Sequence, residues 1–231
     1  MASTLRTRRQ HWYEHWADQR NPQHAKETED AYQDLAGELR NLFAAHRADR
    51  VLEIGCGDGA LFDLLGFNQA SRYLGVDFSQ AMLDQFRARF PRTDLRTADA
   101  SRFRTDERFD LIFSSHVAQY WDRGQMARHL DHAAAMLAPD GLIVIAGIPW
   151  SRMRLAYGRG DLTGGDLTGG RRRSLPGALA SAVRELVAPD IGHWYDLPEV
   201  TRLAAARGMR ANFRGSGHYP YRFHALFQRT R

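Results

Sequence analysis

Cysteine occurs once in the 231 residues, at Cys56, so neither an internal disulfide nor a four-cysteine metal site can form. Lysine also occurs once, at Lys26, and every other basic residue is an arginine. Long apolar runs are missing as well. The longest, Gly141 to Trp150, is about half of the roughly 20 residues that a membrane-spanning helix needs. The first residues are basic and polar with no apolar stretch behind them, which does not read as a signal peptide, so a cytoplasmic location is expected. No His, Asp or Glu spacing matches a catalytic metal set, and no metal is expected.

Charge of one sign is not concentrated either. The formal net charge is +5, but acids are interleaved with the arginines through most of the chain, which predicts a mixed surface. The dense cluster Arg171-Arg172-Arg173 reads as a phosphate contact or as part of a mobile basic loop. The composition therefore argues against a nucleic-acid or membrane partner and for a small-molecule one.

What is present is a hydrophobic fraction of 43%, enough for one domain over residues 1–231. Residues 1–44 read as a helical cap, with Leu35, Leu39, Leu42 and Phe43 spaced as a stripe. The aromatic run from His11 to Trp16 either pads the core or closes over a ligand. Strands are predicted at 50–54, 73–77, 95–98, 109–113 and 142–148. Helices are predicted at 60–65, from about Ser79 to Pro91, and over some fifteen residues ending at Leu137 before the turn Pro139-Asp140-Gly141. Residues 151–176, with the repeat Gly-Asp-Leu-Thr-Gly, read as a mobile loop over the crevice, either a lid or a solvated insertion. A helix over 175–187 follows, and Asp196-Leu197-Pro198-Glu199 starts another. Residues 209–215 and 221–228 read as an antiparallel strand pair, with Phe223, Ala225 and Phe227 alternating against Arg222, His224 and Gln228. Such alternation predicts a doubly wound, mostly parallel seven-stranded α/β sheet of Rossmann-like type, with helices on both faces and the antiparallel pair at its C-terminal end. Its crevice belongs at the carboxyl ends of the strands, where Glu53, Asp77, Asp99 and Ser114 to His116 fall.

Gly55, Gly57 and Gly59 follow the first strand directly, which lets the backbone turn sharply and approach a ligand. Asp77 ends the next strand and can accept hydrogen bonds from both hydroxyls of a ribose. Gly55, Gly57 and Ala60 satisfy the dinucleotide fingerprint, so an NAD-dependent oxidoreductase stays open. Glu53 and Asp58 oppose that reading, because both carboxylates would face a pyrophosphate. A cofactor with a cationic centre suits an acidic loop better.

Val51 to Gly59 resembles the first motif of the class I S-adenosylmethionine-dependent methyltransferases. Tyr73 to Ser79, Asp99-Ala100, Phe109 to Ile112 and Leu137 to Leu142 resemble the later motifs, in order, over roughly residues 45–148. The resemblance implies S-adenosylmethionine as cofactor, with Gly55 and Gly57 along its methionine moiety and Glu53 orienting the loop. It implies Asp77 on the ribose, Phe78 on the adenine unless that ring is simply core, and Met82 among the cofactor contacts. Asp99 and the Ala100 backbone would meet the adenine edge, and Ser115 and His116 would border the methyl group. Tyr13 and Trp16 match the aromatic N-terminal segment that the family often places near the cofactor.

His116 is the first candidate for a general base, with a substrate hydrogen bond or a structural role as alternatives. Cys56 is an unsuitable nucleophile, since the glycine loop commits it to the cofactor. Tyr120, Trp121, His193, Trp194, Tyr195, His218, Tyr219, Tyr221 and Arg222 offer aromatic faces and polar tips for an acceptor. The stretch Tyr219 to His224 is similar to bacterial methyltransferases of polysaccharide and sugar pathways. The expectation is O-methylation of a sugar-containing metabolite. N-methylation of an amino sugar, O-methylation of an aromatic metabolite and a non-catalytic cofactor-binding subunit remain as alternatives, and a homodimer is left open.

Overall fold

A computed structural model of the chain describes residues 29–159, 162 and 192–230. Its strands are β1 (Arg50–Ile54), β2 (Arg72–Asp77), β3 (Asp94–Thr97), β4 (Phe109–Ser115), β5 (Leu137–Pro149), β6 (Met209–Gly215) and β7 (Arg222–Arg229). They form one sheet in the order β3-β2-β1-β4-β5-β7-β6. The pairs from β3 to β5 are parallel, and β7 runs antiparallel to both β5 and β6. The expected doubly wound sheet with its antiparallel C-terminal pair is thus observed, and the chain order reverses at β1, between β2 and β4.

Period-two burial explains why the sheet is covered on both sides. Leu52, Ile54, Ile112, Ile143 and Ile145 enter one apolar cluster, whereas Val51, Leu111, Phe113 and Val144 enter the other. The first cluster is closed by α3 (Arg123–Met136), through Met126, Leu130 and Ala133, and by α5 (Leu197–Ala205), through Val200 and Ala204. The second is closed by α1 (Glu29–Phe43) and α2 (Gln80–Arg89). Leu35, Leu39, Leu42 and Phe43 of α1 are buried as their spacing predicts, each contributing about 1.5–3 kcal/mol of transfer free energy.

Several local expectations are corrected. Residues 60–65 form successive turns rather than a helix, with Leu65 N–H to Leu61 C=O the one helical bond there. Gly59 and Gly66, both at φ +76°, bracket the segment and stop the ladder from propagating. The helix expected to end at Leu137 gives way to strand at that residue, and β5 runs through Pro139-Asp140-Gly141 with a register shift against β4 between Phe109 and Leu111. Residues 151–159, expected in a loop, form a 3₁₀ turn and then α4 (Arg154–Arg159), where the Tyr157 ring packs on Trp194 and Tyr221. The rest of that loop, apart from residue 162, lies outside the described residues, as do the helix expected at 175–187 and residues 1–28.

Asp122 starts α3 with a reciprocal cap: its carboxylate accepts from Gln125 N–H at 2.7 Å, and its own N–H donates to Gln125 Oε1 at 2.9 Å. Replacing Asp122 with Ala should cost about 1 kcal/mol, read as a lower urea midpoint at unchanged m-value.

Candidate active site

The turn after β1 is built around three glycines in left-handed conformation, Gly55 at φ 77°, Gly57 at 56° and Gly59 at 76°. Space is as restrictive as the dihedral angle. A Cβ on Gly55 would lie 2.3 Å from Val117 Cγ2, and one on Gly59 would lie 2.7 Å from the Phe86 ring. Gly57 N–H donates to Asp77 Oδ2 at 3.0 Å, and Ser79 N–H donates to Oδ1 at 2.9 Å. Asp77 is thereby fixed at the end of β2, and a carboxylate so held can still accept from a ligand hydroxyl. Met82, on the first turn of α2, lies beside this loop: its Cε would be 3.5 Å from a Cβ on Gly57. Phe78 is half-buried next to Asp77.

Glu53 is buried one residue before the turn, and Tyr73 Oη donates to its Oε2 at 2.6 Å. Burial raises its pKa to about 8, with Asp77 and Asp58 adding like-charge repulsion against the bond from Tyr73. Burial likewise raises Asp77, despite its backbone bonds from Ser79, Gly57 and Phe78. The Cys56 thiol is pushed well above its ordinary value by burial and by Glu53 and Asp77, which makes it inert as a nucleophile. Two carboxylates whose charge is disfavoured, with Asp58 close by, form a poor seat for a pyrophosphate and a good one for a cation.

Further along the strand ends, Asp99 Oδ1 accepts from Ser101 N–H at 2.9 Å and from Ser101 Oγ–H at 2.8 Å, while Ala100 C=O faces His129 Nδ1 at 3.3 Å. Asp99 Oδ2 lies 4.0 Å from Arg102 Nε. Ser115 Oγ lies 2.9 Å from His116 Nδ1. His116 itself sits at φ 58°, the one residue besides glycine with positive φ among the described residues, and its N–H extends the ladder to Ala146 C=O at 3.0 Å. The His116 ring packs over Gly147, where a Cβ would come within 2.7 Å, and edge-on to Tyr219 at 5.2 Å. Its Nε2 is buried without a partner. Burial, reinforced by Arg222, His224 and His218, holds its pKa well below the usual imidazole value, so the ring is neutral at pH 7. When Nδ1–H is given to Ser115 Oγ, the free lone pair stands on Nε2.

Gly147, at φ 69°, interrupts the register of β5 and β7 between Ile145 and Ile148. Its N–H donates to His224 Nδ1 at 3.2 Å, and its C=O accepts from an Arg222 terminal nitrogen at 2.6 Å. Arg222 also donates to Gln119 Oε1 at 2.8 Å, and its plane lies over Tyr221 at 5.1 Å and Tyr219 at 5.8 Å. On the other side of His224, Nε2 meets Glu38 Oε1 at 2.6 Å, and Glu38 accepts from Gly217 and His218 N–H groups at 3.2 and 2.8 Å. The structure thus brings His116, Tyr219, Tyr221 and Arg222 together.

Other expected contacts fall elsewhere. Trp121 is core rather than acceptor surface: it is buried, stacked on His129 at 4.4 Å, and its C=O accepts from Tyr195 Oη at 2.5 Å. Tyr195 is buried with it for the same reason. Tyr120 lies in the 3₁₀ turn after His116, and His193 is anchored by its N–H to Gln119 C=O at 2.8 Å. Tyr13 and Trp16 lie outside the described residues. Sequence reasoning missed Glu38, Gln119, Gly147 and the buried state of His224. A signal for Glu38 was available, because it lies at stripe spacing from Leu35 and Leu42.

Residues 51–141 match the family model described as a methyltransferase domain. A probable S-adenosylmethionine-dependent methyltransferase from Mycolicibacterium smegmatis is 33% identical over 106 residues, covering 44% of this chain and 40% of that one. Over residues 51–141 the chain is thus similar to S-adenosylmethionine-dependent methyltransferases. A trans-aconitate 2-methyltransferase from Variovorax paradoxus is 31% identical over 128 residues, covering 54% of this chain and 48% of that one. The chain thus spans less than half the length of these curated relatives. Among solved structures, an S-adenosylmethionine-bound amino pentose methyltransferase from Micromonospora echinaspora overlays with a TM-score of 0.63 at 18% identity, covering 86% of this chain and 92% of that one. That overlay shows the same fold. S-adenosylmethionine is bound in that neighbouring structure, and the acidic glycine cradle of this chain suits the sulfonium and ammonium charges of such a molecule.

The raised pKa of Glu53 carries a linkage. A cationic ligand beside it lowers that pKa, so binding near pH 7.5 should release protons and tighten as pH rises through about 8. Titration calorimetry of S-adenosylmethionine in buffers of different ionisation enthalpy reads the release directly, and Glu53→Gln should abolish it.

Proposed function

We propose that this protein transfers a methyl group from S-adenosylmethionine to a hydroxyl oxygen of a small, sugar-containing acceptor. The observation that carries the reading is a neutral, strained His116 at the end of β4, beside the glycine cradle that follows β1. The cradle would hold the cofactor through Gly55, Gly57, Glu53, Asp77, Phe78, Met82, Asp99, Ala100 and Ser115. When bound, S-adenosylmethionine supplies an electrophilic methyl group on sulfur.

The chain's own residues have three tasks. Asp77 and the loop fix the donor's orientation, which supports in-line approach of the acceptor. His116 Nε2 takes the hydroxyl proton as the C–O bond forms, a role open to it because the ring is unprotonated at neutral pH. Tyr219 and Tyr221, grouped with Tyr157 and Trp194 within ring contacts of 4.6 to 6.4 Å, offer flat faces to the CH groups of a sugar and exclude water around it.

Titration with S-adenosylmethionine should give heat in the micromolar range, and NAD should give none. The reverse result would return the protein to the oxidoreductases. His116→Ala should leave cofactor affinity unchanged and lower acceptor turnover by about 10²–10⁴-fold. Because the pKa of His116 is depressed, the wild-type rate should already be on its plateau at pH 6.5, with no inflection there. Undiminished turnover in the variant would remove His116 from the chemistry.

A further inference from the structure

Arg222 is 7% exposed, yet no carboxylate among the described residues lies within ion-pairing distance of it. Its two terminal nitrogens are held by neutral acceptors, the Gly147 carbonyl and the Gln119 side chain, and its Nε has no partner. A buried cation without a counter-charge is costly, by several kcal/mol in typical interiors. The nearest carboxylate in this network, Glu38, is engaged by His224 and by the Gly217 and His218 N–H groups. Around Arg222 stand further polar atoms without partners: His218 Nε2 and His116 Nε2 are both buried and unbonded. Tyr219 links the three, with ring contacts to His116 at 5.2 Å and His218 at 4.5 Å and the guanidinium above it.

We propose that the acceptor carries an oxyanion, a carboxylate or phosphate substituent, which docks against the Arg222 Nε edge with His218 alongside it. The assignment rests on the methyltransferase reading for the word acceptor, but the oxyanion site stands on the cluster alone. It deepens that reading into an acidic sugar, such as a uronate or a sugar phosphate. It also disfavours an amino sugar, whose ammonium would meet the uncompensated guanidinium at close range. Arginine suits the role because its fixed fork is oriented here by Gly147 and Gln119 before any ligand arrives.

The test is calorimetric titration of the full chain with glucuronate, glucose 6-phosphate, glucose and glucosamine, each with and without S-adenosylhomocysteine. One of the two anions should bind at least about tenfold tighter than glucose, as a charge-assisted hydrogen bond supplies, and glucosamine should bind most weakly. Which anion wins distinguishes carboxylate from phosphate. Arg222→Gln should reduce the anionic preference to near unity while S-adenosylhomocysteine affinity stays within about twofold of wild type. If that variant does not fold, His218→Gln must narrow the preference instead. Equal binding of glucose and both anions, or a preference that survives in the variants, would overturn the proposal. Loss of S-adenosylhomocysteine binding with the anionic preference intact would sink the methyltransferase reading alone.

Discussion

The crevice depends on one break in a hydrogen-bond ladder. At Gly147 the pairing of β5 with β7 is out of register, and both backbone groups of that residue are satisfied by side chains, His224 for the N–H and Arg222 for the C=O. Buried peptide groups left unpaired would be expensive, so these two polar side chains are retained inside the sheet. The same glycine makes room for the His116 ring, which a Cβ would strike. One glycine with positive φ therefore sets the place of the candidate base, the buried arginine and the histidine that reaches α1. Glu38 then ties α1 to the β6–β7 connection through His224 and two backbone N–H groups, so the acceptor side is braced from across the sheet.

At the β1–β2 end the governing term is repulsion among acids rather than a broken ladder. Glu53, Asp58 and Asp77 converge because the glycine turn folds the chain back onto the end of β2, where Gly55 and Cys56 N–H groups both reach Val76 C=O. Burial then makes full ionisation unfavourable, and Glu53 titrates near 8. The network with the lowest local cost is one with a cation in it, which is what a sulfonium cofactor brings.

The sheet was legible because its alternation is regular. Val51 to Ile54 and Leu142 to Ile148 read as buried strands because they are short, nearly continuous apolar runs, and the Leu35, Leu39, Leu42 stripe read as a helix face. The cradle was legible because glycines and carboxylates at fixed offsets have few other uses. What failed depended on partners distant in sequence. Arg222 and His224 read as the exposed half of an alternating strand, yet β7 lies between β5 and β6 with α1 over that face, so both are buried. Trp121 looked like an acceptor contact because it offers an aromatic face with a polar tip, but packing on His129 of α3 takes it into the core. Local pattern fixes neither choice, since each is decided by an element at least eight residues away in the chain and often by one more than a hundred away.

The two ends of the crevice carry opposite charge, and this separation has a mechanistic consequence. Acids gather at the carboxyl ends of β1 and β2, while the Arg222 guanidinium stands where β4 and β5 end and β7 begins. On the proposed reading, a cationic donor and an acceptor bearing an anion would be drawn to different halves of one site, which would order them without a contact specific to either skeleton. The methyl group would cross between the halves, and His116 stands at that boundary, kept neutral by burial and by the Arg222 charge. Had Arg222 been paired with a carboxylate of its own chain, two effects would vanish together: the pull on an anionic acceptor and part of the depression that keeps His116 free to accept a proton. A guanidinium without a carboxylate partner among the described residues would therefore link acceptor choice to proton transfer through a single charge.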